Sequence, residues 1–236
     1  AFRIGFDTIP EVTKSKDPRF RKLLKNLQLL IIDEISMVRA PMLDAISQSL
    51  QVHRNNSEPF GGVKILACGD LFQLPPVVQS HEENTIYSKY DSVYFFDALS
   101  FKDIKNPIFF ELTKSFRQEE DDIFYELLNN IRLGMDLDVT VNRINKHCHD
   151  PTLEVEPFMT LTSRKNKAED INLHKLSYND NEEETIVSKE KGELKENDLP
   201  APRELKIKKD AKVMFIKNDS EGRWVNGTIG TVTECL

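Results

Sequence analysis

Two continuous apolar runs in the first third of the chain end close to acidic residues. LQLLII at 27–32 runs directly into Asp33 and Glu34, and VKILAC at 63–68 is followed by a glycine and then Asp70. Continuous rather than alternating apolar residues are typical of parallel strands buried on both faces. Both runs are therefore predicted to be buried strands of a parallel sheet.

Helical patterns separate and follow these strands. The clearest covers 121–134, where apolar residues recur at helical spacing and Gly134 suits the position after the last turn. Asp17 and Pro18 suit the cap and first position of a short helix. We predict helices at 18–26, 42–54, 121–134 and 168–179, and further strands at 107–113 and 158–163. Strands alternating with helices predict an α/β fold with parallel sheets and helices on their faces.

The pattern changes near residue 180. Segment 181–202 is charged and poor in apolar residues, which favours a solvated linker over a binding tail. Beyond it, 212–219 and 224–236 read as strands around Asn-Gly and Gly turns. This end of the chain is predicted to form a small β-barrel or a hairpin.

Composition limits the class of protein. With 236 residues, 39% of them hydrophobic, the chain can bury one large core or two smaller ones. It has no apolar run of membrane-spanning length and no visible secretory signal. Its three cysteines are far apart, which suits a reducing compartment. The net charge of −7 argues against a uniformly basic nucleic-acid binder but allows a local basic groove.

The acidic strand ends indicate a nucleotide site. Ligands of open α/β sheets bind at the carboxyl ends of the strands. There, Asp33 can hold Mg2+ bound to nucleotide phosphates, and Glu34 can deprotonate the attacking water. The alternative is that this pair only caps the next helix. Asp70 and the amide of Gln73, placed after the second strand, favour the nucleotide site.

Five segments together resemble one family. IIDEISM (31–37) and GDLFQLPPV (69–77) resemble the Walker B motif and motif III of superfamily 1 DNA helicases of the RecD/Pif type. LTKSFRQEEDDIFYELLNNIRLG (112–134) resembles the motif IV region of that family. FMTLTSRKNKAEDIN (158–172) resembles a segment that faces single-stranded DNA, and VMFIKNDSEGRWVNGTIGTV (213–232) the approach to an inserted barrel. The matches run in the correct order over most of the chain.

The resemblance implies two partial RecA-like motor domains with parallel sheets. The first would cover 1–105 and the second 106–180. The charged linker 181–202 would then lead to 203–236, the start of an inserted SH3-like barrel.

The resemblance also implies roles in ATP hydrolysis. Asp33 would help to hold Mg2+, Glu34 would be the catalytic base, and Gln73 would sense the γ-phosphate. Arg117 would reach across from the second domain as an arginine finger. The alternative for Arg117 is a surface ion pair with one of the acids at 119–121.

Contacts to single-stranded DNA and duplex junctions are expected at the start of the predicted helix 168–179. Thr162, Ser163, Arg164 and Asn166 combine small hydrogen-bonding groups with a cation. Their alternative role is ordinary helix capping.

Three further features are open to a simpler explanation. Phe72 and Trp224 could stack on bases, but packing within the protein is the simpler interpretation. Three consecutive potential ligands at 147–149 cannot easily converge on one tetrahedral ion, so we predict no zinc site there.

Several family motifs are absent from this chain. It has no Gly-Lys dipeptide and hence no G-x-x-x-x-G-K-[ST] P-loop. Nor does it have the Thr-x-His-Lys-x-Gln-Gly and Ala-Leu-Ser-Arg segments of the family. We therefore expect the middle part of a larger ATP-dependent DNA helicase, inactive by itself. Without the P-loop strand, the edge of 27–32 would be unpaired and could drive self-association.

Two other functions remain open. The chain could be a P-loop-less DNA-binding or assembly module, or part of another two-domain ATPase. A helicase would act in DNA repair or recombination, in the cytoplasm at the nucleoid of a bacterium or in the nucleus or mitochondria of a eukaryote.

Overall fold

A computed structural model describes residues 8–114, 122–150, 152, 159–189, 199 and 201–234. The chain divides into two compact units, Ala1–Pro151 and Thr152–Leu236.

Helices dominate the first unit. Its helices are α1 (Pro18–Asn26), α2 (Ala40–Arg54), α3 (Ser80–Tyr87), α4 (Leu99–Lys102), α5 (Asp122–Leu133) and α6 (Leu137–Cys148). Its strands are β1 (Leu29–Ile32) and β2 (Lys64–Ala67), and short 3-10 turns lie at Ile35–Met37, Pro59–Gly62 and Phe95–Asp97.

The two strands pair in parallel, with Leu30 opposite Ile65. This confirms the predicted parallel pair. Within the described residues only one face of the pair is covered, by Leu30, Ile32 and Ile65 packing on the core. On the other face Ile31 is 59% exposed. The prediction that both faces are buried was therefore wrong for this part of the chain, because helices cover the sheet on one side only.

The core of this unit lies around α2, where Leu43 and Leu50 are almost completely buried. Arg54, the last residue of α2, ties α1 to this core. Its Nη1 donates to three carbonyl groups at the end of α1, those of Leu24, Lys25 and Leu27. Its Nε donates to the Gly61 carbonyl at 2.8 Å. These bonds satisfy carbonyl groups that the end of a helix leaves without partners.

The predicted ends of two helices are confirmed. Asp17 accepts hydrogen bonds from the first turn of α1. At the end of α5, Gly134 has a φ of +69°. Its N–H donates to Ile131, and the N–H of Met135 donates to Asn130. This pair of hydrogen bonds closes the last turn and requires a left-handed residue, which glycine supplies without strain.

Parts of the predicted element list differ from the structure. Residues 107–113 are not a strand, and Phe110 is 88% exposed. A strand needs a neighbour for its backbone hydrogen bonds, and the described residues place none beside this segment. Of the predicted strand 158–163, residue 158 lies outside the described residues, and 159–163 form no strand. Helices α3, α4 and α6 were not predicted.

The second unit holds α7 (Lys165–Ser177), β3 (Glu183–Val187), β4 (Glu204–Lys208), β5 (Lys212–Met214) and β6 (Ile229–Thr231). The sequence predicted the helix, although it begins three residues earlier than expected. Strand β3 lies inside the segment that composition favoured as a linker. In the described residues of this unit, β3 pairs with β4 and β5 with β6, as two antiparallel pairs and not as a closed barrel.

Candidate nucleotide site

The chain turns sharply where β1 ends. The Asp33 carboxylate accepts the N–H of Glu34 at 3.0 Å, and Glu34 adopts a left-handed backbone with φ 51° and ψ 44°. The N–H of Ile35 then donates to the Cys68 carbonyl at 2.9 Å. Asp33 and Glu34 both remain exposed. Glu34 occupies the cap position of the following 3-10 turn without a side-chain capping bond, so its carboxylate is available to a ligand.

The loop after β2 lies against this turn. The N–H of Cys68 donates to the Ile32 carbonyl at 2.9 Å, which extends the strand pairing. A Cβ placed on Gly69 would lie 2.9 Å from Ile35 Cγ2 and 3.1 Å from the backbone nitrogens of Ile35 and Ser36. The two loops that carry the predicted site residues therefore touch at the carboxyl edge of the strands.

Asp70 organises the second loop. Its Oδ1 accepts the N–H of Phe72 at 3.0 Å, and its Oδ2 accepts the Gln73 amide at 3.2 Å. Arg132, in the last turn of α5, places Nε 3.1 Å from the same Oδ2 and its guanidinium 4.9 Å from the centre of the Phe72 ring. Burial raises the pKa of Asp70, but the hydrogen bonds from Phe72, Arg132 and Gln73 outweigh it and lower the pKa. Asp70 is thus a carboxylate that holds its own loop together.

The structure brings together three of the four predicted catalytic residues. Asp33, Glu34 and Gln73 lie on the loops that follow two neighbouring parallel strands. Arg117 lies outside the described residues. Arg132 was not identified from the sequence, where it is one charged position of a predicted helix. No local pattern connects it to Asp70.

The predicted DNA-contacting residues lie in the second unit, at the start of α7. Thr162 Oγ1 accepts the N–H of Arg164 at 3.3 Å, and Asn166 Oδ1 accepts the N–H of Lys167 at 2.9 Å. Ser163 and Arg164 are exposed. The four residues lie close together at one helix start, and two of them also accept hydrogen bonds from nearby backbone N–H groups. Arg164 occupies the cap position of α7 and makes no side-chain capping bond, so the described contacts do not support the capping alternative.

Both aromatic candidates contact other protein side chains. The Phe72 ring stacks against the Arg132 guanidinium and is 61% exposed. Trp224 stacks on Phe215 with 4.5 Å between the ring centres. The second contact is the internal packing that the sequence favoured.

Asp33 is the residue predicted to hold Mg2+ at this site. The described residues contain no group of three potential ligands for a metal ion, at 147–149 or elsewhere. An exposed carboxylate with one oxygen already bound to a backbone N–H suits Mg2+ that is also held by nucleotide phosphates, because Mg2+ prefers oxygen ligands and few of them from protein. Asp33 fits that role. No helix in the described part of the chain is long and apolar enough to cross a membrane.

Comparison with known proteins gives a consistent result. The family model described as PIF1-like helicase matches residues 1–142. The ATP-dependent DNA helicase Pif1 of Bdellovibrio bacteriovorus is 31% identical over 93% of this chain, and PIF1 of Saccharomyces cerevisiae is 34% identical over 92%. The chain spans 48% of the first relative and 26% of the second.

Solved structures agree with these relatives. A Bacteroides Pif1 bound to ssDNA is 35% identical to this chain, with a TM-score of 0.83 over 100% of it and 55% of that protein. A Bacteroides Pif1 in complex with ADP-AlF3 and ssDNA is 34% identical, with a TM-score of 0.80 over 96% of this chain and 52% of that protein. The α/β fold with a parallel strand pair is therefore that of the Pif1 structures, and the chain belongs to the PIF1-like helicase family.

Proposed function

We propose that this chain is part of an ATP-dependent DNA helicase that couples ATP hydrolysis to movement on single-stranded DNA and to duplex unwinding. The observation that carries the proposal is the exposed turn of Asp33 and Glu34 at the carboxyl edge of β1, in contact with the loop that carries Gln73. This is the edge at which α/β sheets bind nucleotides. The ADP-AlF3 and ssDNA complexes of relatives support the same choice of ligands.

Each residue has a defined task in this proposal. Asp33 would hold Mg2+, which neutralises charge on the phosphates of ATP. Glu34 accepts a proton from the attacking water, and its exposed carboxylate allows water to reach it. Gln73 contacts the γ-phosphate through its amide. Arg117 stabilises the transferred phosphoryl group from the second motor domain.

The finer architecture and the DNA contacts belong to the same proposal. We assign 1–105 and 106–180 to two partial RecA-like domains and 203–236 to the start of an inserted SH3-like barrel. The antiparallel pairing of β5 and β6 supports a β-rich insertion. The exposed side chains at the start of α7 supply hydrogen bonds and a positive charge for the phosphates of single-stranded DNA.

The test is Glu34→Gln in the full-length protein. We expect DNA-stimulated ATP hydrolysis to fall by at least about 100-fold, because the general base is lost, while ATP binding and the unfolding midpoint stay unchanged. Glu83→Gln, at an exposed glutamate of α3, is the matched control and should keep full activity. A wild-type protein without DNA-stimulated ATP hydrolysis, or a fully active Glu34→Gln variant, would refute the proposed function. A strand-displacement assay distinguishes a helicase from another DNA-stimulated ATPase.

A further inference from the structure

Arg132 joins two parts of the first unit that are distant in sequence. It lies in the last turn of α5, which ends at Leu133 and is followed by Gly134. Its guanidinium reaches the loop after β2, 62 residues earlier in the chain. The contact therefore depends on how α5 lies against the loop, and not on local sequence.

The contact is both an ion pair and a stacking interaction. Nε of Arg132 lies 3.1 Å from Oδ2 and 3.4 Å from Oδ1 of Asp70. The guanidinium also covers the Phe72 ring at 4.9 Å. An arginine that faces both oxygens of a carboxylate restricts its rotation, and the stacking restricts the neighbouring ring as well.

The restricted carboxylate in turn holds Gln73. Oδ2 of Asp70 accepts hydrogen bonds from both Arg132 and the side-chain amide of Gln73. Because Arg132 holds this oxygen in place, it also fixes the position of the group to which the Gln73 side chain donates. Apolar burial gives the loop little other support, because Leu71, Phe72 and Leu74 are all half exposed or more. The Asp70–Arg132 contact is thus a main tertiary restraint on this loop.

We propose that Arg132 is a positioning residue for ATP hydrolysis, which sets the orientation of Gln73 by anchoring Asp70 and Phe72. This inference rests on the proposed function, in which Gln73 contacts the γ-phosphate. It also couples the phosphate-contacting loop to the hairpin that α5 and α6 form, two helices that pack together and are joined by residues 134–136. A displacement of this hairpin would therefore move the loop.

The first test uses Arg132→Ala in the full-length protein. We expect kcat for DNA-stimulated ATP hydrolysis to fall about 10-fold, the effect of losing one charge-assisted contact, while KM for ATP changes less than about 2-fold. Arg132→Lys should recover part of kcat, because lysine keeps the charge but not the planar fork. Arg143→Ala is the matched control, since Arg143 forms an ion pair with Glu126 within the same hairpin, 3.3 Å apart. It should keep wild-type kcat.

The second test asks whether Arg132 acts through Gln73. In a Gln73→Ala background, Arg132→Ala should cause no further loss of kcat, because the group that it positions is already gone. If Arg132→Ala lowers kcat by the same factor in the wild type and in the Gln73→Ala variant, the inference is overturned. A wild-type kcat in Arg132→Ala would overturn it as well. If Arg132→Ala does not fold, the same cycle is run with Arg132→Lys.

A third measurement does not depend on catalysis. The backbone N–H of Phe72 donates to the Asp70 carboxylate, and the backbone N–H of Gln73 donates to the Asp70 carbonyl. Hydrogen exchange at these two backbone groups should become faster in Arg132→Ala and not in Arg143→Ala. Unchanged exchange would contradict the anchoring. An inactive wild-type protein with faster exchange in Arg132→Ala would instead refute only the proposed function.

Discussion

Glu34 and Gly69 show how single residues shape the candidate site. Glu34 holds a left-handed backbone that side chains larger than glycine rarely adopt, and such residues concentrate at functional sites. Gly69 meets the other loop so closely that no Cβ fits there without displacement of buried Ile35. The proposed chemistry requires a glutamate at position 34, and the close contact between the two loops requires a glycine at position 69.

Gly69→Ala should destabilise the chain by about 1–3 kcal/mol, the usual effect of an added methyl group in a closed contact. The added Cβ would push Ile35 and the backbone of Ser36 away from the loop after β2. Chemical denaturation measures the change. Cys68→Ala is the matched control, since Cys68 is exposed and its two described hydrogen bonds come from the backbone. It should stay within about 0.5 kcal/mol of the wild type. A Gly69→Ala protein as stable as the wild type would show that the two loops can separate freely.

Glu82 connects three separate segments of the first unit. It lies near the start of α3 and is 8% exposed. Its Oε1 accepts from Arg39 at 2.8 Å and from Thr8 at 3.1 Å, and its Oε2 accepts the N–H of Gln79 at 3.0 Å. Arg39 immediately precedes α2, so the ion pair joins the beginnings of two helices. Burial raises the pKa of Glu82, but the bonds from Gln79, Arg39 and Thr8 outweigh it and lower the pKa below the ordinary 4.5.

This lowered pKa predicts a pH-dependent contribution of Glu82 to stability. The carboxylate stabilises the folded state above pH 4.5, and that stabilisation is lost as the pH falls through the lower folded pKa. Glu82→Gln should therefore reduce the free energy of unfolding at pH 7 by about 1–3 kcal/mol. The difference from the wild type should shrink as the pH falls below 4.5. Urea unfolding of both proteins across this pH range measures it. If the difference in the free energy of unfolding stays constant with pH, the charge of Glu82 does not contribute to stability.

The elements also show which parts of a sequence carry local information. The ends of α1 and α5 were predicted because Asp17 and Gly134 act on backbone groups within a few residues of themselves. The prediction of a strand at 107–113 was wrong because apolar side chains do not indicate whether a partner strand lies beside them. Strand β3 was not expected because all five of its residues are exposed, so no apolar pattern marks it.

At the scale of the whole molecule, the described residues leave one apolar face of the β1–β2 pair uncovered beside the candidate site. Leu29, Ile31 and Leu66 lie on it and are all roughly half exposed. Apolar patches of this kind promote association between chains, and an unpaired strand edge adds free backbone hydrogen-bonding groups. We therefore expect this chain by itself to associate at high concentration.

Replacing Ile31 with lysine should raise the monomer fraction, because a charge would then lie on that face. Sedimentation over a range of concentrations measures the effect. Leu173→Lys, which changes a leucine of α7 with similar exposure, is the matched control and should leave association unchanged. A wild-type chain that stays monomeric at all concentrations would contradict the prediction.

By itself the sequence determined the parallel strand pair, several helix ends and the residues that follow each strand. These features depend on apolar periodicity and on hydrogen bonds between near neighbours, which amino-acid order specifies directly. Only the tertiary structure decided that Asp70 binds Arg132, that Gly69 touches Ile35 and that Ile31 is uncovered. Each of these depends on which distant segments pack together, and packing is set by the shape of the whole core.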